Sequence, residues 1–194
     1  MNLTKLIDKV KNIIVTPKEE WEVIATAVED KRSIFLNYIL PLLAVAAVGK
    51  FIGASSYGLG HSLYAGFMTA IAYAISTLAG LYIAAVVVNE LTDTFNTQKD
   101  LDAVIKLVAY SATPTFLATF VASLHPMLSF TGLFGLYSIY LFWVGVDPLL
   151  KTPEDKKLGF VVVSLLIAVA AIFILQTIFV SILVASSAAA YSIY

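Results

Sequence analysis

The sequence predicts an all-α fold: a polytopic membrane helix bundle with five transmembrane helices, preceded by short N-terminal amphipathic helices. Three observations predict it. Hydrophobic residues make up 60% of the chain and charged residues 13%, with a mean hydropathy of +0.90, a balance that suits lipid rather than water as the surrounding solvent. The apolar residues gather into blocks at residues 33–52, 62–88, 103–124, 127–150 and 158–185. Each is at least as long as the roughly 20 residues that cross about 30 Å of hydrocarbon at 1.5 Å per residue. None alternates apolar and polar positions in segments of about ten residues, as a membrane β-barrel would.

Residues 1–32 read as a cytoplasmic amphipathic region. In a helix Leu3, Leu6, Ile7, Val10, Ile13 and Ile14 share one face, with Lys5, Asp8, Lys9 and Asn12 opposite, a pattern for a helix lying among lipid headgroups or packed on the bundle. A second helix is expected from Thr16. "TPKE" offers an N-cap, a proline at the first helical position and a glutamate placed to close a capping box. That helix puts Trp21, Ile24, Ala25 and Val28 on one face. The segment lacks the compact apolar core and small-residue cleavage site of a signal peptide, so it is expected to be kept.

Within the spans, small residues mark close helix contacts. Gly49 and Gly53 in "GKFIG" stand four apart in the first, and Gly66 and Ala70 repeat the spacing in the second. The third carries "KLVAYSATPTFLATF". Pro114 there lacks the proton that would bond the Tyr110 carbonyl, and Ser111 and Thr113 stand ready to satisfy the freed backbone. The break serves either as a packing kink or as a hinge with a solute-facing carbonyl, so Tyr110, Ser111 and Pro114 form one candidate site. Gln176 in the fifth span is costly facing lipid and is expected to bond a neighbouring helix. Residues 186–194 follow as a short extracytoplasmic tail.

Of the 12 lysines and arginines, only Lys50 falls on the side opposite the N-terminus. The positive-inside rule therefore predicts a cytoplasmic N-terminus and an extracytoplasmic C-terminus in the cell (inner) membrane. The charges cluster on the cytoplasmic side, where Glu90, Lys106 and Asp147 end or open spans at similar depth. They form a second candidate site, with Lys106 pairing to Glu90 or Asp147 or each group simply reaching the interface.

Soluble-enzyme signatures are missing, with no phosphate-binding glycine loop, metal-ligand spacing or nucleophile elbow. His61 and His125 fall in extracytoplasmic turns without nearby acids, a poor metal site. The chain has no cysteine, which excludes disulfides and thiol chemistry. No catalytic residue, metal or cofactor is expected, and no nucleic-acid partner.

Four motifs in order and spacing, "TPKEEW", "AYSATP", "YSIYLFWVGVDPLLKTP" and "EDKKLGF", resemble the bacterial branch of the Yip1 family, over residues of about 15 to 185. The resemblance implies a five-span integral membrane protein with a cytoplasmic N-terminus. Eukaryotic relatives bind small GTPases of the Rab type through a longer N-terminal region with an acidic, tyrosine-containing motif that these 32 residues lack, so Rab-type GTPase binding is not carried over. The expected function is non-enzymatic: organising protein or lipid partners at the cytoplasmic membrane face, with the bilayer, other membrane proteins or a second copy of the chain as partners. The alternative is a small carrier or channel for an ion or small solute. A buried polar cavity joining Tyr110, Ser111 and Gln176 would favour transport, and a closed apolar interior the organiser.

Overall fold

The structure, a computed structural model, describes residues 3–58 and 62–191, with side chains in the last helix described to residue 179 and at Ser181. His61 lies outside the described residues. In order, the elements are α1 (Leu3–Val15), α2 (Pro17–Thr26), α3 (Lys31–Ile34), a π turn (Phe35–Ile39), α4 (Leu40–Tyr57), α5 (Leu63–Leu91), α6 (Leu101–Ser111), α7 (Thr113–Leu124), a 3-10 helix (Pro126–Leu136), α8 (Tyr137–Leu150) and α9 (Glu154–Tyr191). No strand occurs among the described residues, and the fold is the all-α membrane bundle expected.

Five segments are long and apolar enough to cross a membrane: Lys31–Tyr57, Leu63–Leu91, Leu101–Leu124, Pro126–Leu150 and Glu154–Phe179. Three of them are not plain α-helices, and proline explains each case. Pro41 cannot bond the Asn37 carbonyl, and a π turn before it absorbs the mismatch, the Leu40 amide donating to Phe35 instead. Pro114 splits the third span into α6 and α7 at Ala112. The fourth span opens with Pro126 and runs as a 3-10 helix through Gly132 and Gly135 before becoming α8, where the sequence suggests an ordinary helix. Glycine's low helix propensity weakens the α alternative there.

α4 packs on α5 and α7, α5 on α6 and α9, α6 on α8, and the 3-10 helix on α7, while α8 and α9 barely touch. The glycine spacing has a direct counterpart: a Cβ at Gly49 would come within 2.8 Å of the Phe120 carbonyl, and one at Gly53 would collide with the Ser123 carbonyl, so both glycines set the approach of α4 to α7. Gly66 plays the same part for α5 against Phe51 and Ser55 on α4.

At the basic end, two connections are stitched together. The Gln98 amide donates to the Leu150 carbonyl at 3.2 Å and the Thr97 hydroxyl to Thr152 at 3.2 Å. The N-terminal helices pack alongside the spans from this end inward, α1 on α7 and α2 on α8. Leu6, Ile13, Trp21 and Ile24 are buried in the same core as the spans. The amphipathic stripe therefore buries against protein, although Leu3 and Ile7 stay exposed. Two details differ from the sequence reading. The Thr16 hydroxyl turns back to the Asn12 carbonyl at 3.3 Å and makes no cap bond, so the capping box does not form. Helix α2 stops at Thr26, and Val28 falls beyond it, fully exposed.

Candidate functional site

The docked N-terminal helices cover a buried polar network built around the break in the third span. Pro114 has no amide proton to give the Tyr110 carbonyl, which a regular helix would bond from that position. The Thr113 hydroxyl donates to that carbonyl at 2.7 Å and shares a second 2.7 Å bond with the Tyr38 hydroxyl from the first span. Of the two residues expected to help the backbone, Thr113 does so. Ser111 does not.

The Tyr110 ring lies against Tyr38, with centroids 4.3 Å apart, and meets Trp21 edge-on at 6.2 Å. Its hydroxyl donates to Glu29 at 2.6 Å, and Lys9 pairs with the other Glu29 oxygen at 2.7 Å while sitting 4.9 Å over the Tyr110 ring. Lys9 and Glu29 are 20 residues apart, so the helix pair folds back on itself at Thr16 far enough to close this bond. Lys9, placed on the polar face by periodicity, is turned inward because Glu29 waits there. Burial alone would push the Glu29 carboxyl up. The bonds from Lys9 and Tyr110, with the charges of Lys9 and Lys106, outweigh it and hold the group below its ordinary value.

Lys106 is buried, but its partners differ from those expected. Its ammonium donates to the Ala27 carbonyl at 2.6 Å and the Ile24 carbonyl at 3.3 Å. These are carbonyls at the C-terminal end of α2, where a cation completes the orphan acceptors and meets the negative end of the helix dipole. Glu90 instead pairs with Lys99 at 2.8 Å, and Asp147 pairs with Lys157. Glu90, Lys106 and Asp147 are thus not one cluster: each is held locally, and only Lys106 joins the network.

Trp21 fixes α2 against the spans by shape. It is 0% exposed and fills a notch that exists because residue 145 is glycine. A Cβ there would come within 2.6 Å of the Trp21 ring and 2.7 Å of Leu107. One turn of the docked pair reaches farther: the Tyr137 hydroxyl donates to the Ile14 carbonyl at 3.0 Å, about 20 Å along α8 from Leu150 at 1.5 Å per residue.

Ser111 belongs to a separate place. Its hydroxyl is buried without a hydrogen-bond partner among the described residues. It lines a cavity of about 280 Å³ between α5, α6, α7, the 3-10 helix, α8 and α9, together with Tyr73, Thr77, Thr115, Ser138 and Gln176. The cavity joins Ser111 and Gln176 and leaves Tyr110 out. Gln176 lines it and makes no hydrogen bond to a neighbouring helix among the described residues. Sequence reading missed Glu29, Lys9 and Tyr38 as members of the network, because their partners lie 20 to 81 positions away and no local periodicity links them. Thr113 beside Pro114 was the one available signal.

No curated protein and no solved structure matches the chain. The model of the Yip1 domain matches residues 11–176, from within α1 to Gln176 in the last span and including every residue of the network except Lys9. The protein is therefore a multi-pass membrane protein, and the chain belongs to the Yip1 family.

Proposed function

We propose that this Yip1 family member is a non-enzymatic protein that organises protein or lipid partners at the membrane face carrying its N-terminal helices. The observation that supports it is the anchoring of those helices through Lys9, Glu29, Tyr110, Lys106 and Trp21. Anchoring turns a charged N-terminal segment into a fixed surface, with Lys11, Asn12, Lys18, Glu19 and Glu22 exposed on its outer side. A preformed surface avoids much of the ordering cost that a disordered tail incurs on binding. The skewed distribution of lysine and arginine supports a cytoplasmic position for this face, which reporters fused at the N-terminus and after Tyr194 test directly.

The deciding experiment compares proteins and lipids that co-purify from native membranes with the wild type and with a Lys11→Glu, Lys18→Glu variant. A partner set lost in a folded variant supports the reading, and an identical set in both would sink it. A second reading, a small carrier or channel, draws on the cavity that joins Ser111 and Gln176. Against it, the cavity wall has no ionisable group other than the tyrosine phenol, and proton or ion coupling lacks a carrier. Flux in liposomes tests it.

A further inference from the structure

A groove of about 390 Å³ opens between the first, second and third spans at the basic end of the bundle. Its walls are apolar: Phe35 and Ile39 on one side, Leu81 and Ala85 on another, Ile105 and Val108 on the third, with Lys31 and Arg32 at its mouth. From Arg32 to Ile39, and from Ala85 down to Leu78, it runs about 10 Å along the helices at 1.5 Å per residue. Phe35 and Tyr82 are exposed at its rim, so it opens sideways toward whatever surrounds the spans.

The charges at the mouth are not balanced internally. Lys31 lies 3.4 Å from Asp102 in an exposed pair, a contact that holds it weakly. Arg32 is exposed and has no ion-pair partner among the described residues. Both residues open the first apolar span, the level at which headgroups meet the hydrocarbon. An arginine presents a fork of donors that matches a phosphate, and basic pockets between spans bind anionic headgroups.

We propose that this groove binds an anionic phospholipid, its phosphate on Arg32 and Lys31 and the first part of one acyl chain along Phe35, Leu81 and Val108. The proposal deepens the lipid half of the function proposed above, but it uses a different surface from Lys11 and Lys18. The two can fail separately. A docked protein helix is the poorer occupant, because it would cover the apolar walls and leave the guanidinium to be neutralised by an acid that must reach the same mouth.

The test titrates the purified full-length protein in detergent with dioleoylphosphatidylglycerol and, separately, dioleoylphosphatidylcholine, and reads bound lipid by native mass spectrometry. One basic residue near a charged headgroup is worth about fivefold in affinity. The wild type is therefore expected to hold one phosphatidylglycerol at least about fivefold more tightly than phosphatidylcholine. Arg32→Gln is expected to reduce that preference by about fivefold, and Lys151→Gln, an exposed position away from the groove, to leave it unchanged. Raising ionic strength to 0.5 M should shrink the wild-type preference, a measurement that stands even if a variant folds poorly. Ala85→Phe should block phosphatidylglycerol while leaving Arg32 in place. Equal retention of both lipids by the wild type, an undiminished preference in folded Arg32→Gln, or a dimer that excludes lipid from the groove would each overturn the proposal.

Discussion

Adding one methyl group at Gly145 should release the N-terminal helices without harming the spans beneath them. A Cβ there would lie 2.6 and 2.7 Å from two atoms of the Trp21 ring and 2.7 Å from Leu107, nearly 1 Å inside ordinary carbon contact. Leu107 is 0% exposed in the core of the third span and has little room to retreat, so the displacement falls on Trp21 and on α2. Overpacking of this kind costs about 1–3 kcal/mol, which corresponds to a roughly 5- to 150-fold weaker docking equilibrium. The chain has 2 tryptophans, so Trp143→Phe leaves Trp21 as the sole reporter, at the cost of the Lys157 contact 4.4 Å over the Trp143 ring. In that background Gly145→Ala should shift Trp21 emission to the red, raise its quenching by acrylamide and speed proteolysis after Lys11 and Lys18. The unfolding temperature of the spans should change less than these probes do. Unchanged emission and quenching in the variant would refute the argument, because the notch would then not be what holds Trp21.

The network makes further outcomes testable. Tyr110→Phe removes a hydrogen bond to a carboxylate worth about 1.5–3 kcal/mol. The lower end is expected because Glu29 keeps Lys9 and a side chain 25% exposed, giving a loss of about 3–6 °C in thermal unfolding. A carboxyl whose folded value is depressed stabilises above its ordinary value of 4.5. That contribution is lost as pH falls through the depressed value, so the gap between wild type and Tyr110→Phe should narrow in acid. Lys106→Met strips the carbonyls of Ile24 and Ala27 of their donor and should raise hydrogen exchange at residues 27–30 more than in the spans. Thr113→Val takes the hydroxyl donor from the Tyr110 carbonyl and strands the Tyr38 hydroxyl, at about 1–3 kcal/mol for the stranded group; adding Tyr38→Phe should recover part of the loss, and a purely additive double variant would contradict the shared bond. Ser111→Ala deletes a hydroxyl with no partner and should leave the unfolding temperature within about 2 °C; altered solute flux in liposomes from that folded variant would move the carrier reading to first place.

The five apolar spans were legible because lipid imposes a simple rule: a segment that satisfies its own backbone and stays apolar for about 20 residues. The same rule is blind to helix type. Nothing in "PMLSFTGLFGL" distinguishes a 3-10 run from an α-helix by hydropathy, and the outcome turns on Pro126, Gly132 and Gly135. The stripe on α1 was visible, but its destination was not, since an apolar face suits a membrane surface as well as α7. Gly145 illustrates the limit well. In sequence it is one more small residue in a span, and its meaning depends on Trp21, 124 positions earlier. Lys106 was singled out as a span-end charge that pairs with Glu90 or Asp147 or simply reaches the interface, yet those carboxylates had nearer lysines. The acceptors that remained were the bare carbonyls at the end of α2, which a count of charged residues does not include.

The break at Pro114 and the docking of the N-terminal helices form one continuous arrangement. Proline frees the Tyr110 carbonyl, and Thr113 takes it at 2.7 Å. In that position the Thr113 hydroxyl also meets Tyr38, whose ring then supports Tyr110 from below at 4.3 Å. So held, Tyr110 reaches Glu29 with its hydroxyl and offers its ring face to Lys9. Each link uses the one before it, and a straight third helix, with an amide at position 114 bonding the Tyr110 carbonyl, would leave Thr113 without its place in the sequence of contacts. The carbonyl that proline exposes is therefore already engaged by the Thr113 hydroxyl. A solute pathway through this region would have to use the other side, where Ser111 faces the cavity it shares with Gln176.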